Sequence, residues 1–370
     1  MNSYLVLGCG VLKAGVDYLL RQPDTDLVTI LDKDKSVLKL DKMFNNLLPN
    51  RIGYIVSDIN RLNLISLFRI YDTVISGLPA KENLRLAETA IKANVNFCDL
   101  GGVVSIARKI TDLRNKCPSF NKSIITGCGL MPGDGEIKAQ ALMWEFDRPL
   151  SVTILVTGLP QNPKPPFWYN FPYSPVGLEH VCYDKAPIIE SGKVVWKKAF
   201  SGYKHITIPE LARFHDGGRV EAFITAGTSL STDTFLEQGV EKYCELTLRW
   251  KNFVKIFKHI PREKFQETIA PYLTQPSQND PDLVYMKVLV SGYINGKWIE
   301  KSISHLDLFD NITRFTAMER STAIPASIVA RMTTNGQTKN GINTPETAFS
   351  REQMRLYLKE LNKYFDIKYT

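Results

Sequence analysis

The sequence lacks the patterns that mark disulfide-bonded, zinc-binding or membrane-spanning chains. Its six cysteines form no C-x-x-C pair, which disfavours a zinc site and a disulfide framework and predicts a reducing compartment. No stretch of about 18 apolar residues occurs that could span a membrane. Residues 4–20 are apolar but lack the basic start and the cleavage site of a secretory signal. These absences predict a cytoplasmic protein without membrane contact.

The chain also lacks the charge runs and histidine spacings of several other classes. It is basic, with a net charge of +8, yet its lysines and arginines form no run of five or six. Nucleic acid is therefore not predicted as a partner. The five histidines show no metal-ligand spacing, and neither G-x-S-x-G nor H-E-x-x-H is present. We therefore predict no metal site, and nothing supports a hydrolase or a metalloenzyme.

The first part of the chain alternates short apolar runs with helical patterns. Strands that are continuously apolar are typical of a parallel sheet buried on both faces. Among the intervening stretches, residues 81–93 show the clearest helical periodicity. The alternation predicts an α/β fold with a doubly wound Rossmann sheet. The apolar runs are residues 4–7, 27–31, 53–56, 72–76, 96–100 and 123–126.

The pattern changes after residue 130. Extended runs cover residues 151–157, 219–225 and 283–290, and an Asn-Gly pair at 295–296 between two extended runs indicates a β-hairpin. Helical periodicity returns at residues 324–332 and 351–364. We therefore predict a Rossmann domain formed by residues 1–130 and 320–370, with an inserted α+β domain at residues 131–319.

A glycine motif, Gly8-x-Gly10, follows the first predicted strand and precedes the first helix. Gly8 permits a tight turn, and Gly10 lets the backbone approach a pyrophosphate at the helix N-terminus. Val11, the next residue, is included in the predicted cofactor-binding loop. A third glycine is usual three residues after the second, but Lys13 stands there and the next glycine is Gly15.

An acidic residue ends the second predicted strand, where a nucleotide-binding sheet requires one. Asp32 lies 22 residues after Gly10, and a carboxylate there accepts hydrogen bonds from the adenosine ribose hydroxyls. The same carboxylate repels the 2′-phosphate of NADP, so NAD is the predicted cofactor, although Lys33 and Lys35 lie beside it. A solvated turn aspartate is the alternative interpretation.

Three further strand ends carry residues suited to a cofactor, because ligands of doubly wound sheets bind outside the carboxyl ends of the strands. Asp58 follows the third strand and is predicted near the adenine. Gly77-Leu78-Pro79 follows the fourth strand and would give backbone access to the middle of the cofactor. Asp99, after the fifth strand, is predicted nearer the nicotinamide.

A loop rich in proline and aromatic residues occupies residues 160–175, here called the aromatic loop. It combines six prolines with the rings of Phe167, Trp168, Tyr169, Phe171 and Tyr173. Flexible linkers are instead rich in Gly and Ser and poor in aromatics. We therefore predict an ordered loop that either packs its rings structurally or lines a substrate cleft.

Several segments together resemble the saccharopine dehydrogenase-like family, and within it the compact lysine 6-dehydrogenase type. The resemblance covers nearly the whole chain. Its most specific parts are Gly-Leu-Pro-Gln-Asn-Pro-Lys-Pro-Pro at residues 158–166 and Tyr-Ser-Pro-x-Gly-Leu at residues 173–178. The other segments are residues 188–193, 221–223, 247–250 and 322–331.

The resemblance implies a Rossmann domain completed by the C-terminal helices, with the catalytic domain inserted between. It implies NAD(P)-linked oxidation of an amine carbon, or reduction of the matching imine, and a homodimer formed through the second domain. The chain departs from the family at Lys13 and at Asn252-Phe253, where Gly-His is usual. It departs again at residues 132–136, which read Pro-Gly-Asp-Gly-Glu instead of Pro-Gly-Leu-Ser/Thr-Asn.

Three charged residues are the predicted catalytic candidates. Oxidation of an amine requires a group that removes its proton and a cation that binds the substrate carboxylate. Arg249, in the Leu-Arg-Trp motif shared with the family, is predicted to bind the carboxylate, with a surface helix ion pair as the alternative interpretation. Arg213 and Arg219 are weaker candidates for the same role. Asp134 is predicted either to face the nicotinamide or to act as the N-cap of the next helix. Glu179 is predicted to reach the cleft.

Three functional hypotheses follow. The leading one is an NAD-dependent oxidoreductase acting on the CH-NH2 or CH-NH group of a lysine-like amino acid, as in lysine 6-dehydrogenases. The second is an imine reductase for saccharopine or a carboxynorspermidine-type polyamine. The third is a non-catalytic regulatory protein that binds NAD(H). In the enzymatic hypotheses, the cleft is predicted between residues 77–79, residues 129–136 and the aromatic loop.

Overall fold

The computed structural model describes residues 1–44, 50–172, 174–225 and 230–370. Within these ranges the chain divides into two compact units, one formed by residues 1–137 with 319–361 and the other by residues 138–318 with 362–370. Tyr173, which belongs to the aromatic loop and to the Tyr-Ser-Pro motif, lies outside the described residues. Each unit is built around its own sheet.

The strands and helices of the described residues have the following bounds. The strands in the described ranges are β1 (Asn2–Leu7), β2 (Thr25–Asp32), β3 (Ile52–Val56), β4 (Thr73–Ser76), β5 (Asn96–Asp99), β6 (Ser123–Ile125), β7 (Arg148–Pro160), β8 (Ala186–Glu190), β9 (Lys193–Lys197), β10 (Lys204–Thr207), β11 (Arg219–Ile224), β12 (Lys242–Trp250), β13 (Asp282–Ile294), β14 (Lys297–Leu308), β15 (Gly341–Asn343) and β16 (Lys368–Tyr369). The helices are α1 (Lys13–Leu20), α2 (Asp41–Phe44), α3 (Leu64–Phe68), α4 (Asn83–Ala93), α5 (Val104–Asp112), α6 (Asp134–Met143), α7 (Pro175–Tyr183), α8 (Ser231–Glu237), α9 (Phe253–Phe257), α10 (Phe265–Ile269), α11 (Ala317–Thr334) and α12 (Arg351–Leu361).

The sheet of the first unit is parallel throughout, in the order β15-β6-β5-β4-β1-β2-β3 among the described residues. All six apolar runs predicted as strands in the first part of the chain are strands of this sheet. The chain order reverses at β1, which lies between β2 and β4. The loops after β1 and β4 therefore flank a topological switch point, where ligands of doubly wound sheets bind. The predicted fold class is confirmed.

The strands of this sheet are apolar without alternation because both of their faces are buried. Successive residues of a strand point to opposite faces, yet Tyr4, Leu5, Val6 and Leu7 are all fully or almost fully buried. Leu5 and Leu7 join one core cluster with residues of α4 such as Leu86. The burial on both sides explains why a short run of large apolar residues, rather than an alternating pattern, marks each strand.

The sheet of the second unit is mixed. Its order is β10-β11-β12-β7-β13-β14-β16, with β8 paired to β12 and β9 paired to β8. Strands β12 and β7 are parallel, and the other pairs are antiparallel. β13 and β14 form the predicted hairpin, in which Asn295 and Gly296 have φ values of 49° and 72°. Positive φ at both positions is what a type I′ turn requires.

The aromatic loop packs its rings in the second unit. Phe167 lies 5.2 Å from Phe257 between ring centroids, and Tyr169 lies 5.4 Å from Phe253 in an edge-to-face arrangement. Phe171, two residues after Tyr169, is almost fully buried and contacts both Phe167 and Tyr169. The loop is therefore ordered by a core of aromatic contacts, as its composition predicts.

Candidate functional site

The glycine loop after β1 has one closed side and one open side. Gly8 has a φ of +74°, and a Cβ at this position would lie 2.8 Å from Cδ2 of Leu78, so a larger residue would be strained. Gly10 has no atom within 4 Å of an added Cβ and is exposed. Val11, partly exposed, follows it before α1 begins. The backbone of this loop is thus accessible at Gly10, where a phosphate group would approach it.

Asp32 connects the glycine loop to the end of β2. Its Oδ2 accepts a hydrogen bond from the Cys9 amide at 3.0 Å, and its Oδ1 accepts one from the Asp34 amide at 3.0 Å. The side chain is only partly buried. A carboxylate oxygen accepts more than one hydrogen bond, so this group can hold the loop and still bind a hydroxyl.

Gly15 allows a close contact between two helices of the first unit. A Cβ on Gly15 would lie 2.8 Å from the carbonyl oxygen of Ala323 and would also contact Ser327, both in α11. Lys13, at the position where the third glycine of the motif is usual, forms an ion pair with Glu319 at 3.0 Å. Gly15 therefore serves the packing of α1 on α11, and Lys13 adds a salt bridge to the same helix.

The loop after β4 packs directly on the glycine loop. The Gly77 amide donates to the Leu7 carbonyl at 2.8 Å, and a Cβ on Gly77 would lie 2.6 Å from the Gly8 carbonyl oxygen. Leu78 is partly buried and Pro79 is exposed. The structure thus brings Gly8, Gly10, Asp32 and this loop to one edge of the sheet.

Asp58 and Asp99 both organise the backbone around them. Asp58 is exposed, and its Oδ1 accepts a hydrogen bond from the Asn60 amide at 2.9 Å. Asp99 is 1% exposed, and its Oδ1 accepts hydrogen bonds from the amides of Gly101 at 2.6 Å and Gly127 at 3.2 Å. Burial raises the pKa of the Asp99 carboxyl to about 6. Asp99 therefore holds together the loops after β5 and β6.

The start of α6 is polar and buried. Asp134 is its first residue rather than the residue before it, so the N-cap alternative predicted for Asp134 is wrong. Oε2 of Glu136 accepts a hydrogen bond from the amide of Gly133, three residues earlier, at 2.6 Å. This is the bond that the glutamate of a capping box makes at the start of a helix. Oδ1 of Asp134 accepts a hydrogen bond from the Tyr357 hydroxyl at 3.0 Å, and burial beside this carboxylate raises the pKa of Tyr357.

Arg249 lies among aromatic rings in the second unit and is 3% exposed. Its guanidinium carbon is 4.9 Å from the Tyr169 ring centroid and 5.2 Å from that of Phe253. Nη1 donates to the Leu248 carbonyl at 2.8 Å and to Thr157 Oγ1 at 3.3 Å. The predicted alternative, a surface helix ion pair, is wrong because this residue belongs to the buried strand β12.

Glu179 takes part in a polar cluster between α7 and the segment that leads into α10. Its Oε1 accepts from Arg262 Nε at 3.0 Å, and its Oε2 accepts from Gln266 Nε2 at 2.9 Å. These bonds hold the pKa of the Glu179 carboxyl below its ordinary value. The observed contacts of Glu179 are therefore those of a helix-helix bridge.

Sequence reasoning missed one buried ionisable pair. Lys138, fully buried on α6, places Nζ 2.9 Å from Nδ1 of His305 on β14. Burial, together with the charge of Lys138, holds the pKa of His305 well below its ordinary value. The two residues are 167 positions apart, and no local pattern indicates that they meet.

The structure groups no set of metal ligands and contains no membrane-spanning helix among its described residues. In the part of the chain that it describes, no three or more His, Cys, Asp or Glu side chains lie together as metal ligands would. The described helices include none that is both long enough and apolar enough to cross a membrane.

One comparison with known proteins identifies the family, and the structural comparisons show the fold. The sequence model of the saccharopine dehydrogenase C-terminal domain matches residues 129–367. Apo saccharopine dehydrogenase (L-Glu forming) from Saccharomyces cerevisiae is similar in structure, with a TM-score of 0.77, 17% identity and coverage of 100% of both chains. Homospermidine synthase from Legionella pneumophila, solved in complex with NAD, has a TM-score of 0.68 at 12% identity, covering 100% of this chain and 91% of that one. The structural similarities establish the shared fold, and because the matched domain spans more than half of the sequence, the chain belongs to the saccharopine dehydrogenase-like family.

Proposed function

We propose that this protein is an NAD(H)-dependent oxidoreductase that acts on the CH-NH2 or CH-NH group of a lysine-like amino acid. The observation that carries the proposal is the edge of the parallel sheet where Gly10 leaves the backbone open and Asp32 offers a carboxylate. Membership of the saccharopine dehydrogenase-like family supports the substrate class. The relatives of similar fold include a saccharopine dehydrogenase and an enzyme solved with NAD.

The residues at this edge fit a dinucleotide. The open side of Gly10 and the N-terminus of α1 would receive the pyrophosphate, and no acidic residue lies in the first turn of α1 to repel it. Asp32 would accept hydrogen bonds from the ribose hydroxyls and would disfavour a 2′-phosphate, so NAD is proposed over NADP. The nicotinamide ring would supply hydride acceptance or donation.

On the substrate side, Arg249 remains the proposed partner of a carboxylate. Its guanidinium lies against the Tyr169 ring, in a setting from which water is largely excluded. Electrostatic contacts are stronger in such a setting than in water. Asp134, which binds the Tyr357 hydroxyl, is the proposed group for orienting or relaying the amine proton. Glu179 is given no step, because its carboxylate is engaged by Arg262 and Gln266.

Two substrate forms compete within this proposal. A lysine 6-dehydrogenase would oxidise a primary amine, whereas a saccharopine-type enzyme would oxidise a secondary amine or reduce the matching imine. The similarity to saccharopine dehydrogenase over the full length of both chains makes the secondary amine the first to test. In the L-Glu-forming direction, hydride leaves the amine carbon, and water then cleaves the imine into L-glutamate and an aldehyde.

Steady-state turnover on a panel of amines tests the proposal. L-Lysine, saccharopine and carboxynorspermidine would be supplied with NAD, and NADH would be followed by absorbance together with L-glutamate release. We expect turnover of at least one of them. Tight NADH binding with no turnover on an extended panel would favour the regulatory NAD(H)-binding hypothesis, and absence of NADH binding would reject the proposal.

A further inference from the structure

A cavity of about 630 Å³ lies in the second unit, between the aromatic loop and residues 271–280. Phe167 and Tyr272 both line it, with ring centroids 4.9 Å apart. The Phe171 amide donates to the Thr274 carbonyl at 3.1 Å, which ties the two segments together. The volume falls in the range of about 300–1,000 Å³ that is typical of small-molecule sites.

Asn170 lines this cavity with a buried amide that the chain leaves unsatisfied. The side chain is 2% exposed, and neither Nδ2 nor Oδ1 has a hydrogen-bond partner within the described residues. More than nine in ten buried polar groups in native proteins are paired. Burial of an unpaired amide is destabilising. Such an exception on the wall of a cavity indicates that the missing partner is a ligand.

Asn96 shows how the same fold treats an asparagine that only holds the structure. It is also buried, at 7% exposure, but its Nδ2 donates to the Asp72 carbonyl and its Oδ1 accepts the Ser123 amide, both at 3.0 Å. Burial alone therefore does not leave an asparagine unpaired in this protein. The difference lies in what surrounds Asn170, which is a cavity bounded by rings.

The lining of the cavity has the charge pattern of a zwitterion site. It contains one basic residue, Lys164, and one acidic residue, Asp280. An asparagine amide donates from its nitrogen to a carboxylate and accepts at its oxygen from an ammonium group. The rings of Phe167 and Tyr272 offer an apolar surface to an aliphatic chain. One ligand class meets all of these features, namely an α-amino acid with an extended side chain.

We propose that this cavity binds the α-amino-acid head group of the substrate, with Asn170 hydrogen-bonded to both its carboxylate and its ammonium group. Lys164 and Asp280 attract the two charges from the rim. The carboxylate assigned to Arg249 is a different one, because a secondary-amine substrate of the saccharopine type carries more than one. The proposal rests on the proposed function in one respect, that the bound amino acid is the substrate of hydride transfer. Binding itself is independent of that reaction and is measured without it.

The test is calorimetric binding of three probes to the full chain in the presence of NADH. L-Lysine carries the complete head group, cadaverine lacks the carboxylate, and 6-aminohexanoate lacks the α-ammonium. We expect the wild type to bind L-lysine at least about tenfold more tightly than either analogue, or about 1.4 kcal/mol. In Asn170→Leu we expect this preference to disappear. Its melting temperature is expected not to fall, because the substitution removes an unpaired buried amide.

Asn96→Leu is the matched control, because it also replaces a buried asparagine by leucine. It breaks two hydrogen bonds, so it is expected to lower the melting temperature and to keep the preference for L-lysine. Three results would overturn the proposal: equal binding of the probes by the wild type, a retained preference in Asn170→Leu, or destabilisation of Asn170→Leu as large as that of Asn96→Leu. Absence of amine turnover with an intact preference would instead reject only the proposed function.

Discussion

The loops of the parallel sheet and the aromatic surroundings of Arg249 hold their polar groups in different ways. At the end of β2, Asp32 accepts hydrogen bonds from an amide of its own loop and from an amide of the adjacent glycine loop. In the second unit, Arg249 lies against the rings of Tyr169 and Phe253, and Asn170 has no hydrogen-bond partner among the described residues. The first region satisfies its polar groups with nearby backbone, and the second surrounds them with aromatic side chains.

The two regions also differ in how far apart in the sequence their contacting residues lie. A carboxylate that accepts the amide two residues ahead, as Asp58 does, forms an Asx turn whose geometry is set within a few residues. The environment of Arg249 depends on the aromatic loop, which lies more than 70 positions earlier in the chain. We therefore expect changes in the first region to act on cofactor binding and changes in the second to act on substrate turnover.

The largest expected effect is that of Arg249→Ala on turnover. Removing a buried charged partner of a substrate carboxylate should lower kcat/KM about 30- to 1,000-fold, which corresponds to a loss of about 2–4 kcal/mol of transition-state stabilisation. NADH affinity should stay nearly unchanged, because the glycine loop belongs to the other unit. Steady-state kinetics on the best amine of the panel, with NADH titration and a melting curve, measures both. Arg249→Lys serves as the control that keeps the charge and loses the planar stacking. Loss of NADH binding, or unaltered turnover, would contradict the expectation that the second region acts on turnover and the first on cofactor binding.

Asp32→Ala should weaken NADH binding by about 10- to 100-fold, since hydrogen bonds to a charged group contribute about 1.5–3 kcal/mol. The wild type should bind NADH more tightly than NADPH, and the variant should lose this preference. Fluorescence titration with both cofactors is the measurement. Asp34→Ala is the control, because Asp34 is an exposed neighbouring aspartate whose carboxylate accepts the Ser36 amide. Tighter NADPH binding by the wild type would contradict the prediction.

Two glycines near the cofactor loop should separate stability from binding. Gly15→Ala places a methyl group against the Ala323 carbonyl and is expected to destabilise the fold by about 1–3 kcal/mol. Gly10→Ala meets no atom within 4 Å, so it should leave stability nearly unchanged and weaken NADH binding. Urea unfolding and NADH titration on both variants test the pair. If Gly10→Ala bound NADH normally, the open side of the loop would not be the pyrophosphate site.

A further expected effect, on stability alone, is the pH dependence that Asp99 contributes. Burial raises its pKa from 3.8 to about 6, so between these values the folded protein keeps a proton that the unfolded chain releases. The free energy of unfolding should therefore fall as pH rises through this window, and the loss should be complete above pH 6. Asp99→Asn should flatten this dependence by about 3 kcal/mol over the whole window, since each unit of pKa shift corresponds to about 1.4 kcal/mol. Asp282, whose pKa is also raised to about 6 by burial, stays in the variant, so the slope should shrink rather than vanish. Urea unfolding at pH 4, 6 and 8 gives the comparison, and parallel curves for the two proteins would refute it.

Much of the fold and of the glycine loop could be predicted, because both depend on residues that are close together in the sequence. An apolar run of four or five residues is enough to mark a strand buried on both faces, and Asn295-Gly296 is enough to set a type I′ turn. Gly8, Gly10 and Asp32 follow their strands at spacings fixed by the strand and helix lengths. Their meeting at one sheet edge follows from parallel pairing alone.

Other contacts could not be predicted to the same extent, because they depend on the packing of distant segments. The N-cap alternative for Asp134 failed because α6 begins at Asp134 itself, with Gly133 before it, and the residue types around the turn did not fix this boundary. Gly15 acquires its role only when α11 packs against α1. Lys138 meets His305 across 167 positions, a separation over which sequence carries no geometric information.

By itself the sequence determined which segments are strands, where the glycine loop and its carboxylate lie, and which family the motifs resemble, since these depend on neighbours along the chain. Only the tertiary structure decided that Arg249 is buried among rings and that Asn170 lacks a partner on a cavity wall. Burial and hydrogen-bond satisfaction depend on every atom around a side chain. Most of those atoms come from residues far away in the sequence.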